Sequence, residues 1–137
     1  MVNQQFNFAV HILTALAFSG GIMDSASLAR SVNTNPVVVR RVLQALRRAG
    51  LVSTFAGKHG GARLARPVSR ISLCDIYDAV EPRPPIEISQ RKAWKHCPVS
   101  CRMQKIMSSV SRDAEEVLRS HLGRVKLITL LRTIKRG

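Results

Sequence analysis

The spacing of apolar residues predicts two helices in the first 32 residues of the chain. Between residues 4 and 18 apolar side chains recur every four positions, as in a helix that buries one face, and Gly20 marks its end. Asp24 or Ser25 then offers a side-chain oxygen as the N-cap of a short helix that ends near Val32. We therefore expect two helices joined by a glycine turn.

A third helix is predicted after a tight turn at Asn33 and Thr34. Asn35 can cap it, and Pro36 occupies its first position, where a missing backbone N–H has no consequence. Gly50 stands where a left-handed residue would end the helix. The residues spaced to form its buried stripe are Val39, Val42, Leu43 and Leu46. The second and third helices together form a helix-turn-helix.

A small β-hairpin, or wing, is predicted next. Two short strands, Leu51–Phe55 and Ala62–Leu64, flank the turn-rich residues 56–61. Ser72 can cap a following helix, whose inward-facing residues are expected to be Leu73, Ile76, Tyr77 and Val80. The residues that mark the end of this helix are Pro82, Pro84 and Pro85.

The second half of the chain predicts an exposed loop followed by a long helix. Residues 81–96 show no clean period and carry several charges. From Pro98 apolar residues alternate spacings of three and four, the pattern of a helix with an apolar seam. The seam residues are Val99, Met103, Ile106, Val110, Ala114, Val117 and His121. Gly123 is expected to break this helix, and residues 125–134 to form a last short one.

The net charge of the chain indicates which class of molecule it binds. Twenty-two Lys and Arg against eight Asp and Glu give a net charge of +14, which attracts polyanions. Residues 1–70 hold nine of these cations and a single acid, Asp24, so nucleic acid is the leading partner. An anionic membrane surface is the alternative, but no apolar run approaches the roughly 20 residues that span a bilayer. The first eight residues lack the basic region of an export signal, so we expect no membrane partner and a cytoplasmic protein.

The third helix and the hairpin carry a DNA-binding pattern outside the core stripe. A recognition helix presents small or polar residues to base edges near its N-terminus, while basic groups hold the phosphates. The candidates in the helix are Thr34, Asn35, Pro36, Val37, Val38, Arg40, Arg41 and Gln44, and those in the wing are Lys58, His59 and Arg63. Arg66 is either a further DNA contact or a plain exposed charge. The alternative for the helix arginines is that they only solvate an exposed face.

Five segments carry a family resemblance: FAVHILTALA at 8–17, SLARSVNTNPVVVRRVLQALRRAGLV at 27–52, GKHGGARLARP at 57–67, ISLCDIYDAVE at 71–81 and HCPVSC at 96–101. With these in order over nearly the whole chain, the sequence resembles the Rrf-two-type bacterial winged-helix regulators, which include iron-sulfur-cluster and nitric-oxide-responsive repressors. The resemblance implies a homodimer in which the long helix crosses its twin. Two recognition helices would then meet a palindromic operator.

The cysteines raise the possibility of a sensor. Cluster-binding relatives typically carry three cysteines before the dimer helix, whereas this chain offers only Cys97 and Cys101 there. A cluster normally needs three or four thiolates, so His96 as a third ligand and the pooling of pairs from two subunits stay open. Alternatively, Cys97 is a reactive thiol, because a helix N-terminus and neighbouring cations favour thiolate, with Cys101 as its resolving partner. Both thiols could also be packed without chemistry, as free cysteines often are.

These patterns predict a mainly α fold with a small β-wing: a winged helix-turn-helix plus a long C-terminal dimerisation helix. We expect a DNA-binding domain at 1–80, a loop with the possible sensor at 81–97, and the dimerisation and C-terminal helices at 98–137. The expected function is a sequence-specific DNA-binding repressor that acts as a homodimer without a cofactor. An iron-sulfur-sensing regulator and a non-specific nucleic-acid-binding protein are the alternatives. No catalytic triad, paired carboxylates or dense metal-ligand motif appears, so we expect no enzyme.

Overall fold

The computed structural model of the chain describes residues 4–80 and 83–137. The first three helices form where the sequence predicts them, as α1 (Gln5–Ser19), α2 (Ser25–Val32) and α3 (Pro36–Arg48). Their ends carry the expected caps, because Asp24 accepts the Ser27 N–H and Asn33 ends α2 in the left-handed conformation. These local signals fix the lengths of the helices. The predicted proline stop at Pro82 lies outside the described residues.

The wing is an antiparallel pair of strands with a third segment at its edge. Strands β1 (Val52–Phe55) and β2 (Gly61–Leu64) pair directly, with Val52 opposite Leu64 and Phe55 opposite Gly61. On the other side of β2, Met23 and Ala62 exchange two backbone hydrogen bonds of 2.9 Å. This bridge ties the wing to the segment between α1 and α2, and the sequence pattern did not predict it.

The core lies around α1, which packs against α2, α3, α4 (Leu73–Ala79), β2 and α6 (Leu127–Arg136). The predicted buried stripe of α3 is confirmed, since all four of its residues are buried. The largest fully buried side chains are Ile12, Leu13, Leu16, Leu28, Val39, Leu46, Leu51, Ile71, Ile76 and Leu127. Helix α4 buries Ile76, Tyr77 and Val80 as predicted, but Leu73 is only half-buried, because it borders an open groove between α1 and α6.

The long helix α5 (Pro98–Arg124) does not break at Gly123, contrary to the sequence-based expectation. It ends at Val125, where the chain becomes extended and pairs with the segment before α4. The Leu73 N–H donates to the Val125 carbonyl at 2.9 Å, and the Leu127 N–H donates to the Ile71 carbonyl at 2.8 Å. These two bonds take the place of the helical ones, so backbone pairing rather than a glycine ends α5.

The residues from 83 to 97 form a loop without helix or strand, as predicted for the part that is described. The loop runs back along α5 and is hydrogen-bonded to it. Ser111 donates through its hydroxyl to the Ile86 carbonyl at 2.8 Å, and the Gln104 amide donates to the Ser89 carbonyl at 3.1 Å. One face of α5 is therefore covered by the chain's own loop.

Candidate nucleic-acid interface

The N-terminal turn of α3 is held by Asn35, whose side-chain oxygen accepts the Val38 N–H at 3.1 Å. Pro36 follows at the first helical position. This cap leaves the face opposite the buried stripe free, and Val37 there is 60% exposed. An exposed valine at the start of a basic helix is a suitable contact for the methyl group of thymine.

A cleft of about 920 Å³ separates α3 from the wing. Its helix wall includes the predicted residues Val37, Arg40, Arg41 and Gln44, and Lys58 lies on its wing wall. The arginines and the lysine make this cleft strongly positive. A concave surface of this charge, with polar and apolar groups at its base, is suited to a nucleic-acid backbone and the base edges beside it.

The other predicted DNA-binding residues lie around the cleft rather than in its lining. Thr34 and Pro36 are half-buried at the turn, and the Thr34 N–H donates to the Ala29 carbonyl at 2.9 Å. Val38 is half-buried beside them, and Asn35 acts as the helix cap. His59 is exposed in the turn between the strands, and Arg63 is exposed on β2.

Two residues that the sequence-based interpretation did not select also line the cleft, Arg47 on α3 and Phe55 on β1. Arg47 lies seven residues after Arg40, so the helical period would have placed both on one face. Phe55 carried no comparable signal, because a terminal strand residue in a short hairpin can face either side.

Arg66 is engaged within the protein. Its guanidinium donates to the Ala49 carbonyl at 3.4 Å and lies 3.7 Å from the Asp75 carboxylate. Asp75 in turn accepts the Ser72 N–H in a capping box at the start of α4. Arg66 therefore connects the end of α3, the end of the wing and the start of α4.

The single acid in the first 70 residues borders the same cleft. The Asp24 carboxylate accepts the Ser27 N–H at 2.7 Å and the Ser27 hydroxyl at 3.2 Å. These hydrogen bonds, led by the one from the backbone N–H, lower the pKa of Asp24 below its ordinary value of 3.8. Its negative charge is thus committed to the N-terminus of α2, where the helix dipole favours it.

The apolar seam of α5 is exposed in the single chain. Val99, Ile106 and Val117 are 62%, 52% and 72% exposed, and Met103 and Val110 are also exposed. The loop covers the neighbouring stripe of the helix, which contains Ser111, and leaves the seam open. An exposed apolar row of this length is typical of helices that pack against another surface.

The sensor candidates lie at the start of α5. The Cys97 sulfur accepts the Ser100 N–H at 3.5 Å, and the Cys101 thiol donates to the Trp94 carbonyl at 3.6 Å. The His96 ring packs edge-on against Trp94, with 5.8 Å between ring centroids. Among the described residues, no three His, Cys, Asp or Glu side chains form a group that could hold a metal ion. Two thiolates from one chain do not suffice for an iron-sulfur cluster, so this set alone does not fit one.

Cys74 lies apart from these residues on α4. Its thiol is 4.0 Å from the Asp78 carboxylate, which is also bonded by the Arg119 guanidinium of α5. Burial and the Asp78 charge raise the pKa of the Cys74 thiol, which disfavours the reactive thiolate.

A helix-turn-helix with a basic α3, a two-stranded wing beside it and a long C-terminal helix defines a winged helix-turn-helix protein. The sequence model of the Rrf2 (Rrf-two) family, described as iron-dependent transcriptional regulators, matches residues 2–133. The chain therefore belongs to the Rrf2 family of transcriptional regulators, and the resemblance inferred from the sequence is confirmed.

Individual relatives agree with this assignment. The HTH-type transcriptional regulator YwnA of Bacillus subtilis, as it is named, is 30% identical over 90% of this chain and 91% of its own length. A crystal structure described as a DNA-binding protein is 28% identical, covers 93% of this chain and 98% of its own, and has a TM-score of 0.74. A transcriptional regulator from Lactobacillus plantarum shares the fold with a TM-score of 0.80 at 24% identity, over 96% of this chain and 90% of its own. Two of these relatives are named as transcriptional regulators and one as a DNA-binding protein.

None of the helices in the described residues combines the length and the apolarity that crossing a bilayer requires.

Proposed function

We propose that the protein is a sequence-specific transcriptional repressor that binds a palindromic operator as a homodimer in the cytoplasm. The observation that carries the proposal is the basic cleft, in which Arg40, Arg41 and Lys58 surround the exposed N-terminal face of α3. Base contacts would come from Val37 and the helix arginines, and phosphate contacts from the wing. Thr34, Asn35, Pro36, Val38, Gln44, His59 and Arg63 complete the proposed surface.

The exposed seam of α5 supports the dimer. Five apolar side chains at spacings of four, three, four and seven residues would be covered if two copies of α5 packed against each other. The residues of this proposed seam are Val99, Met103, Ile106, Val110 and Val117. A two-fold dimer presents two copies of α3, and the symmetry of its operator follows from that of the protein.

Selection of duplexes from a randomised pool tests the DNA-binding part directly. We expect the selected duplex to bind more tightly than its scrambled version, and the affinity for both to fall with salt as phosphate contacts are screened. Arg40→Ala and Arg41→Ala should each weaken binding to the selected duplex about tenfold. Arg132→Ala, which removes an exposed arginine on α6, is the matched control.

Two outcomes would contradict this part of the proposal. Equal affinity for selected and scrambled duplexes would instead indicate a protein that coats nucleic acid through charge alone. Affinity unchanged in both α3 variants would show that the cleft is not the binding surface. For repression, deletion of the coding gene should raise expression of a reporter downstream of the selected duplex, and lowered expression would indicate an activator.

A thiol-responsive regulator is the second candidate. Both sulfur contacts, from Cys97 to the Ser100 N–H and from Cys101 to the Trp94 carbonyl, hold the first turn of α5 and the loop that precedes it. Hydrogen peroxide would oxidise the two thiols to a disulfide: the S–S bond forms, the O–O bond breaks, and the two thiol protons leave in two molecules of water. Because the cysteines are one helical turn apart, the disulfide would distort that turn and remove both contacts.

Peroxide treatment separates this candidate from a regulator with inert cysteines. We expect oxidation to remove two free thiols per chain and to change DNA affinity, and Cys97→Ser or Cys101→Ser to abolish the change. Cys74→Ser is the control that should keep it. An affinity indifferent to peroxide would refute the thiol switch. A visible chromophore in anaerobically purified protein would instead indicate a cluster, built with His96 or with cysteines from both subunits.

A further inference from the structure

A stacked pair of side chains lies on the wing. The Arg63 guanidinium carbon lies 5.1 Å from the centroid of the Phe55 ring. Both side chains are exposed, Phe55 by 40%, so the ring is not part of the core. An aromatic ring in this position restricts the orientations of the arginine that it faces.

The strand register places the pair on one face of the hairpin. Ser53 stands opposite Arg63, and Phe55 stands opposite Gly61, so the side chains of Phe55 and Arg63 project to the same side. Val52 and Ala62 project to the other side and are buried in the core. The stacked pair therefore lies on the outer face of the wing.

Phe55 and Arg63 border different concave surfaces. Phe55 lines the cleft beside α3, whereas Arg63 lines a smaller cavity of about 340 Å³ next to the turn at Gly20 and Ile22. A cleft between a recognition helix and a hairpin accommodates one sugar-phosphate backbone. With α3 in the major groove, the surface beyond that backbone meets the minor groove. Arg63 is thus placed on the minor-groove side.

We propose that Phe55 is a positioning residue that holds Arg63 for insertion into the minor groove, where Arg63 reads the groove's width. The inference rests on the proposed DNA-binding function and adds to it a residue pair that distinguishes between DNA sequences. Narrow minor grooves of A·T runs concentrate negative potential and attract arginine, whereas G·C runs do so less. An arginine already stacked on a ring loses less rotamer freedom on insertion.

The test uses the tightest duplex from a randomised pool in two versions, with the base pairs flanking its core replaced by an A·T run or by a G·C run. We expect the wild type to prefer the A·T version. Phe55→Leu should weaken binding to that version about two- to fivefold more than binding to the G·C version, so that the preference falls. The salt dependence should stay the same, because the variant keeps the charge of Arg63.

Three further variants separate positioning from a structural effect of the ring. Phe55→Tyr keeps a ring and should keep the preference for A·T flanks. In an Arg63→Gln background, Phe55→Leu should no longer change the ratio of the affinities for the two versions, because the group it orients is gone. Phe18→Leu makes the same change at an exposed phenylalanine of α1, outside the wing, and should match the wild type.

The inference is overturned if Phe55→Leu weakens both duplex versions equally or still lowers the preference for A·T flanks in the Arg63→Gln background. It is also overturned if the wild type binds the selected core specifically but ignores the flanks, while the proposed DNA-binding function stands. A wild type that does not distinguish the selected duplex from a scrambled one overturns both.

Discussion

The substitution Ile106→Glu tests whether the seam of α5 joins two copies of the chain. Ile106 lies in the middle of the exposed apolar row and is 52% exposed in the single chain. It is not part of the buried core, so the change should leave the fold of each chain intact. We expect the variant to be a folded monomer at concentrations where the wild type is a dimer.

The size of the effect follows from the exposed area. Full burial of an isoleucine side chain contributes about 1.5–3 kcal/mol, so covering the exposed half of Ile106 contributes about 1 kcal/mol in each copy. The two copies together lose about 2 kcal/mol, and each carboxylate placed in the seam adds a desolvation cost of several kcal/mol. At 1.4 kcal/mol per tenfold, the dissociation constant of the dimer should rise at least about 100-fold.

Sedimentation equilibrium over a range of concentrations measures this constant, and circular dichroism verifies that the helices persist. Lys105→Glu is the matched control, because it puts the same carboxylate on the same turn at a position outside the seam. An unchanged dissociation constant for Ile106→Glu would refute the seam, and so would a wild type that sediments as a monomer. Equal weakening by both variants would indicate a general charge effect instead.

Two further predictions concern the helix-turn-helix and the wing. At Gly61, φ is +153° and an added Cβ would collide with the Met23 carbonyl, so Gly61→Ala should lower the melting temperature by at least about 5 °C. Gly21→Ala is the control and should change the melting temperature little, because nothing lies within 4 Å of the added atom. Equal melting temperatures for the two variants would contradict the Met23 bridge. The pKa of Asp24 is depressed in the folded chain, so its stabilising contribution is complete above the ordinary value of 3.8 and is lost as the pH falls through the folded pKa. In urea unfolding, the stability difference between the wild type and Asp24→Ala should therefore shrink below pH 3.8, and a difference constant with pH would show that the carboxylate cap is not responsible.

The helices of the winged helix-turn-helix were predictable because short-range signals decide them. Asn35 caps α3 through a hydrogen bond to a residue three positions later, and the buried stripe of α3 follows directly from the helical period. The backbone pairings of Met23 with Ala62 and of Ser72 with Lys126 were not predictable. They join segments 39 and 54 residues apart through backbone N–H and carbonyl groups, so no side-chain pattern predicts them. The end of α5 depends on the second pairing, which is why Gly123 was misleading.

Two arginines of the wing show why the residues of the interface could not be assigned without the fold. Arg63 and Arg66 are three residues apart; the sequence predicted a DNA contact for Arg63 and left Arg66 as either a further DNA contact or a plain exposed charge. The guanidinium of Arg66 is instead bonded to the Ala49 carbonyl and paired with Asp75, while Arg63 is exposed and stacked on Phe55. An exposed ion pair alone contributes at most about 1 kcal/mol. If Asp75 were its only partner, Arg66 could therefore exchange that carboxylate for a phosphate at little cost in free energy.

The hydrogen bond from Arg66 to the Ala49 carbonyl makes an exchange of its partners for a phosphate less favourable. Ala49 is the C-cap of α3, where the backbone carbonyls lack helical partners and the helix dipole favours a cation. Moving Arg66 to a phosphate would remove this donor from the end of α3 as well as the charge beside Asp75. The hydrogen bond to Ala49 and the ion pair with Asp75 therefore join the segment after β2 to the end of α3 and the start of α4, and both favour keeping Arg66 within the protein over a phosphate contact.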